Sequence, residues 1–130
     1  MVPHILVIDD QISLPRFIAM ELHAEGYQVS ITSDHVAEPS LVQELNPDLI
    51  VLNWELRCTS GLNLCRQLML DDNQVPIVII TTEEGGSYRL ALELGVQTCL
   101  TKPFLMNDLL KAIEYHLKHK KQKAKCSIRS

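Results

Sequence analysis

No apolar stretch in the 130 residues approaches the roughly 18 that a membrane-spanning helix needs, which excludes an integral helical membrane protein. The amino-terminal Met1-Val2-Pro3-His4 enters an apolar segment directly, without the charged region and cleavage site of a secretory signal. A cytoplasmic location is therefore expected. The four cysteines, Cys58, Cys65, Cys99 and Cys126, show none of the paired spacings of zinc or redox motifs. Reduced, non-catalytic thiols are expected, with Cys65 and Cys99 in or near the core and Cys126 in a polar tail. There is no internal repeat, no low-complexity tract and no helix-turn-helix pattern. No Ser–His or Cys–His pair falls where a nucleophile would need one, since His4, His23, His35, His116 and His119 lie elsewhere. A hydrolase or phosphatase is disfavoured, and the expected class is not an enzyme.

What is present is an ordinary globular composition, 46% hydrophobic, in a length that suits one domain with a real core. The net charge of −4 hides an asymmetry: residues 1–110 carry 15 acidic and 5 basic side chains, whereas residues 111–130 carry 1 acidic and 7 basic. An acidic body disfavours nonspecific nucleic-acid binding by the domain itself. The basic stretch 118–125 suits a solvated helix end, where cations complement the helix dipole, running into a linker. Residues 1–119 are expected to form the domain and residues 120–130 a basic linker or tail leading to an output domain.

Five short apolar runs alternate with five helical patterns. The strands read His4–Ile8, Gln28–Thr32, Leu49–Asn53, Ile77–Thr81 and residues 98–100. The first, third and fourth are nearly all apolar, as parallel strands covered on both faces must be; the second is mixed and suits an edge. Helices are predicted over residues 14–24 with Ser13 as cap, 40–45, Gly61–Leu70, 88–94 and 106–118. Gly95 is a natural helix stop. This alternation implies an α/β fold, a doubly wound parallel sheet with helices on both faces. Functional residues then gather at the carboxyl ends of the strands.

Those ends carry Asp9-Asp10 after the first strand, Asn53 at the end of the third, Thr81-Thr82 at the fourth and Lys102-Pro103 after the fifth. An acidic pair, an amide, a hydroxyl and a cation thus converge on one pocket. Each alone is a weak signal; the four in this order are a specific one. The stretches Ile5-Leu6-Val7-Ile8-Asp9-Asp10, Pro47-Asp48-Leu49-Ile50-Val51-Leu52-Asn53, Pro76-Ile77-Val78-Ile79-Ile80-Thr81 and Thr101-Lys102-Pro103-Phe104, with Gly61 eight residues beyond Asn53, resemble the receiver domain of two-component response regulators. The resemblance covers about residues 4–117. It implies a flavodoxin-like fold of five parallel strands in the order 2-1-3-4-5 with five helices.

In that family an aspartate at the position of Asn53 accepts a phosphoryl group, acidic side chains of the first loop help to hold Mg²⁺, and the lysine stabilises the phosphoryl oxygens. The threonine hydroxyl then turns toward the phosphate, and an aromatic residue on the fifth strand rotates with it. This chain keeps Asp9, Asp10, Thr81, Lys102 and Pro103, with Asp10 the expected metal ligand. It departs at Asn53, at Arg57 (usually proline), at Cys99 in the place of the aromatic, and at Thr82, usually a small residue. The loop 82–86 is about one residue short. A carboxamide is a very poor phosphoryl acceptor.

The resemblance therefore implies an atypical, or pseudo-, receiver: no cofactor is required and any Mg²⁺ site on Asp9 and Asp10 is weak. A pocket locked by direct polar contacts is expected, with the Asn53 amide donating toward Asp9 or Asp10 and its oxygen facing Lys102. Output would run through a protein partner or a homodimer on the face made by the fourth helix, fifth strand and fifth helix, for which Arg89, Leu90, Leu94, Lys111 and Tyr115 are candidates. Such receivers often form the amino-terminal part of transcription regulators, so DNA would be met only through a further domain; a stand-alone adaptor that binds a kinase or other partner is the alternative. A small-molecule or metal input leaves no signature in the sequence either way.

Overall fold

The computed structural model describes residues 2–33, 39–56, 61–70, 75–82, 86–96 and 98–129. Its elements run β1 (His4–Ile8), α1 (Ser13–Ala24), β2 (Gln28–Thr32), α2 (Pro39–Leu45), β3 (Leu49–Asn53), α3 (Gly61–Leu70), β4 (Ile77–Thr81), α4 (Gly86–Glu93), β5 (Thr98–Thr101) and α5 (Met106–Arg129). The strands form one parallel sheet in the order β2-β1-β3-β4-β5, the flavodoxin-like order expected.

The period of two along each strand divides the core into two halves. Leu6, Ile8, Ile50, Leu52, Ile77 and Ile79 project to one face and pack with Leu64, Cys65, Leu68, Ala91 and Val96. Ile5, Val7, Leu49, Val51, Val78 and Ile80 project to the other and pack with Ile18 and Leu22 of α1 and Leu109 and Ile113 of α5. Every residue of β3 and β4 is buried, whereas β2 is a mixture of exposed and half-buried residues and β5 is half-buried throughout. Central strands buried on both faces explain why their sequences lack polar alternation. At the amino end of the sheet His4 and Asp48 are tied together. The His4 N–H donates to Asp48 Oδ2 at 2.8 Å, and the Asp48 N–H donates to the His4 carbonyl at 2.7 Å.

Several boundaries differ from the sequence reading. Ser13 does not cap α1: Ile12 precedes the helix with no side-chain cap, and Ser13 is already helical. α4 begins at Gly86, earlier than expected, and ends at Glu93. Leu94 therefore sits in the turn, where its N–H reaches back to the Leu90 and Ala91 carbonyls. Gly95 follows with φ 104°, the left-handed conformation that closes a helix at little cost only for glycine. α5 continues to Arg129, past the expected end near Lys118 and through the segment read as a linker. The apolar periodicity that marks the packed part does end near Leu117, but Lys, Gln and Ala all favour helix and neither Gly nor Pro interrupts them. Among the described residues no helix is long and apolar enough to cross a membrane.

Candidate functional site

The sheet register decides which side chains meet. Ile8 pairs with Leu52, so Asp9, the next residue, comes alongside Asn53 at the end of β3. Asn53 pairs with Ile80, which sets Thr81 beside it, and Thr81 pairs with Thr101, immediately before Lys102. The Lys102 N–H donates to the Thr81 carbonyl at 2.8 Å, and the Lys102–Pro103 peptide is cis. Asp9, Asn53 and Thr81 are only 5%, 3% and 1% exposed, so their polar atoms must find partners within the protein.

Asp9 and Asn53 meet through the Asn53 amide, whereas the Thr81 hydroxyl turns to Glu55. Asn53 Nδ2 donates to Asp9 Oδ1 at 3.0 Å and to the Glu55 carbonyl at 3.3 Å, while Lys102 Nζ approaches Asn53 Oδ1 at 3.5 Å. The amide orientation follows from these partners: reversed, it would set its oxygen against a carboxylate and its NH₂ against an ammonium. Asp9 Oδ1 also accepts the Gln11 N–H at 3.0 Å. The register and these contacts thus bring Asp9, Asn53, Thr81 and Lys102 together. Asp9, rather than Asp10, is the carboxylate that touches Asn53; Asp10 is half-buried in the same loop.

The sequence reading missed Glu55. Its Oε2 accepts the Thr81 hydroxyl at 2.6 Å and its Oε1 accepts the Thr82 backbone N–H at 2.9 Å. Thr82 therefore contributes its main chain to the pocket, and its side chain is exposed. A carboxylate two positions beyond Asn53 was the available signal. Trp54 was missed as well. It is 7% exposed, and its N–H extends the β3–β4 ladder to the Ile80 carbonyl at 2.8 Å. Gly61 is needed opposite it, because a Cβ there would lie 2.7 Å from the Trp54 carbonyl oxygen and 2.9 Å from its Cα.

The donor set bears on Mg²⁺. An N–H group, not an oxygen, faces Asp9 Oδ1 and the Glu55 carbonyl. Among the described residues no group of three His, Cys, Asp or Glu side chains is disposed to hold a metal ion. As arranged, these residues do not fit the cation; a hard divalent ion needs oxygen ligands, and here it would first have to displace the amide.

Cys99 pairs with Ile79 across β4–β5 and packs against the cluster that holds Cys65. Burial pushes both thiols up to about 11, and for Cys99 the Cys65 thiol adds to the shift. They are poor nucleophiles at neutral pH. On the expected interaction face, Arg89 and Lys111 are exposed, Leu90 is 42% exposed and Tyr115 53%. The Tyr115 ring lies 3.9 Å from the His119 ring. Leu94 instead backs onto the core cluster. Leu92 and Leu105, which the sequence reading passed over, are exposed too. Arg57 and the short loop over residues 83–85 lie outside the described residues.

Comparison with known proteins agrees with this fold. The profile of the response regulator receiver domain matches residues 5–114. The DNA-binding response regulator MtrA of Mycobacterium tuberculosis (strain ATCC 25618 / H37Rv) is 33% identical over 115 residues, which are 88% of this chain and 50% of that protein. The response regulator MprA of Mycobacterium sp. (strain KMS) is 34% identical over 107 residues, 82% of this chain and 46% of that one. The chain thus spans about half the length of the curated relatives it matches. In fold it is similar to the Francisella response regulator 1452 receiver domain, with a TM-score of 0.83 at 24% identity over 91% of this chain and 98% of that one. With this fold and this matched length, the chain belongs to the response regulator receiver domains of two-component signalling.

Proposed function

We propose that this receiver domain signals without phosphorylation at the end of β3. The observation that carries the reading is the Asn53 amide, which replaces the acceptor and is held between Asp9 and Lys102 by both of its polar atoms. A carboxamide oxygen is too weak a nucleophile to take a phosphoryl group, and the direct contacts do what a cation does elsewhere, so Mg²⁺ is not required and binds weakly to Asp9 and Asp10 at most. Cys99, in place of a ring on β5, supports the same reading, since a half-buried thiol offers no aromatic group to reorient.

Output then runs in the cytoplasm through protein–protein contact or dimerisation on the α4–β5–α5 face. Exposed Leu90 and Tyr115 beside the cations Arg89 and Lys111 support it. The half-length match to regulators named as DNA-binding supports a role as the amino-terminal regulatory part of a transcription regulator. DNA would be bound by the remainder of such a protein.

The test is intact-mass spectrometry after incubation with Mg²⁺ and a small phosphodonor, comparing the native chain with Asn53→Asp. The expected result is no adduct on the native chain and one phosphoryl group on the variant. A labile phosphoryl adduct on the native chain, on Asp9 or Asp10 first, would overturn the reading.

A further inference from the structure

The Glu55 carboxylate has both oxygens engaged by donors at the end of β4. The Thr81 hydroxyl donates to Oε2 at 2.6 Å and the Thr82 backbone N–H donates to Oε1 at 2.9 Å. Both distances fall where charge-assisted hydrogen bonds are found, the short one in the O–H···O⁻ range. The Thr81 side chain is almost wholly buried, and its hydroxyl is aimed at the Glu55 carboxylate. The same residue closes the pocket from the other side, because the Glu55 carbonyl accepts the Asn53 Nδ2 at 3.3 Å. Lys102 Nζ stands across the pocket on Asn53 Oδ1. A hydroxyl, a main-chain N–H and an ammonium are the groups that recognise a tetrahedral oxyanion. Here the main chain and the hydroxyl hold a carboxylate from within the chain.

We infer that Glu55 is the resident anion of this pocket. Its carboxylate sits on the Thr81 hydroxyl and the Thr82 N–H where an incoming oxyanion would, and it keeps the end of β4 in an anion-bound arrangement without any input. This deepens the proposed function and rests on it: a domain that receives no phosphoryl group supplies its own negative charge, from two residues beyond the missing acceptor. The fixed state of the domain is the one in which Thr81 is drawn to an anion. Removing the carboxylate takes this acceptor from the Thr81 hydroxyl and the Thr82 N–H and opens a site with affinity for a free oxyanion.

Amide NMR of the whole chain tests this, using Glu55→Ala, Glu55→Gln and inorganic phosphate as the probe. In the native chain the Thr82 amide proton is shifted downfield by its carboxylate partner and does not respond to phosphate. In Glu55→Ala it moves upfield, and phosphate returns it toward the native position with an affinity at least about tenfold tighter than the native chain shows. Glu55→Gln keeps the size of the side chain, loses the charge and moves the same resonance part of the way. A Thr82 resonance unchanged in both variants, or a Glu55→Ala protein that takes up phosphate no better than the native chain, would overturn the inference. Either result leaves the mass-spectrometric test untouched: a phosphoryl adduct on native protein removes the phosphorylation-free reading, whereas a silent Thr82 removes only the role of Glu55.

Discussion

Replacing Asn53 with aspartate puts a carboxylate oxygen where an amide nitrogen now donates to Asp9 Oδ1 at 3.0 Å. Both residues are nearly fully buried, so water screens little of the change. Two unit charges relaxed to about 4 Å repel by about 4 kcal/mol at an effective dielectric near 20. Losing the hydrogen bond to a charged acceptor costs about 1.5–3 kcal/mol more. Against this, the new carboxylate gains Lys102, whose ammonium now lies 3.5 Å from the neutral Oδ1. With that offset and some local adjustment, a net loss of about 2–4 kcal/mol is expected. An unfolding entropy of about 2.1 cal/mol/K per residue makes this a fall of about 7–15 °C in Tm for a chain of this length. The assay is thermal denaturation of both proteins in EDTA. The gap should narrow as the pH falls toward about 4, because repulsion in the folded pocket raises the pKa of the introduced carboxyl above its unfolded value. Mg²⁺ should restore much of the loss in the variant and change the native protein little. An Asn53→Asp protein that melts at or above the native temperature in EDTA would refute the claim that the amide locks the pocket.

Two further predictions follow from packing and burial. A methyl group at Gly61 would meet Trp54 backbone atoms at 2.7 and 2.9 Å, and backbone cannot give way as a flexible side chain can. Gly61→Ala should cost about 1–3 kcal/mol and shift the fluorescence of the chain's single tryptophan; unchanged stability and emission would show that the loop yields freely. Burial, with a smaller contribution from the charge of His119, holds the pKa of His116 below the ordinary 6.5. The unfolded chain takes up that proton first, so stability falls as pH drops through about 6.5 toward the depressed folded value. Thr98 Oγ1 lies 2.6 Å from His116 Nε2, and this contact ties the ring to β5. Melting between about pH 7.5 and about pH 5.5 should show a shallower slope for His116→Gln than for the native chain; identical slopes would exclude His116 as the source.

The order of elements and the membership of the core were legible in the sequence because both rest on local periodicity. Apolar runs such as Ile77–Thr81 have one stable solution, a strand covered on both faces, and the residues at the strand ends then have to gather. That is why Asp9, Asn53, Thr81 and Lys102 could be named before any coordinate. The carboxamide at position 53 was also legible locally, as one side chain's chemistry. Leu94 shows the limit of periodicity: it continues the helical spacing of α4, yet lies in the turn after Glu93 and packs inward. The continuation of α5 to Arg129 shows the converse, since helix propensity persists after the apolar stripe has ended. What the tertiary structure alone decided is which atoms of the pocket meet. The choice of Asp9 over Asp10 depends on the β1–β3 register, which is a property of two strands separated by 44 positions in the contact they make. Glu55 carries no periodic signal, only its place two positions beyond Asn53, and its contact arises because the chain turns after β3 and brings its carboxylate to β4, 26 residues further on. Hydrogen bonds fall off over a few tenths of an ångström, so partners of this kind are fixed by the packed backbone and not by the composition of the segments that carry them.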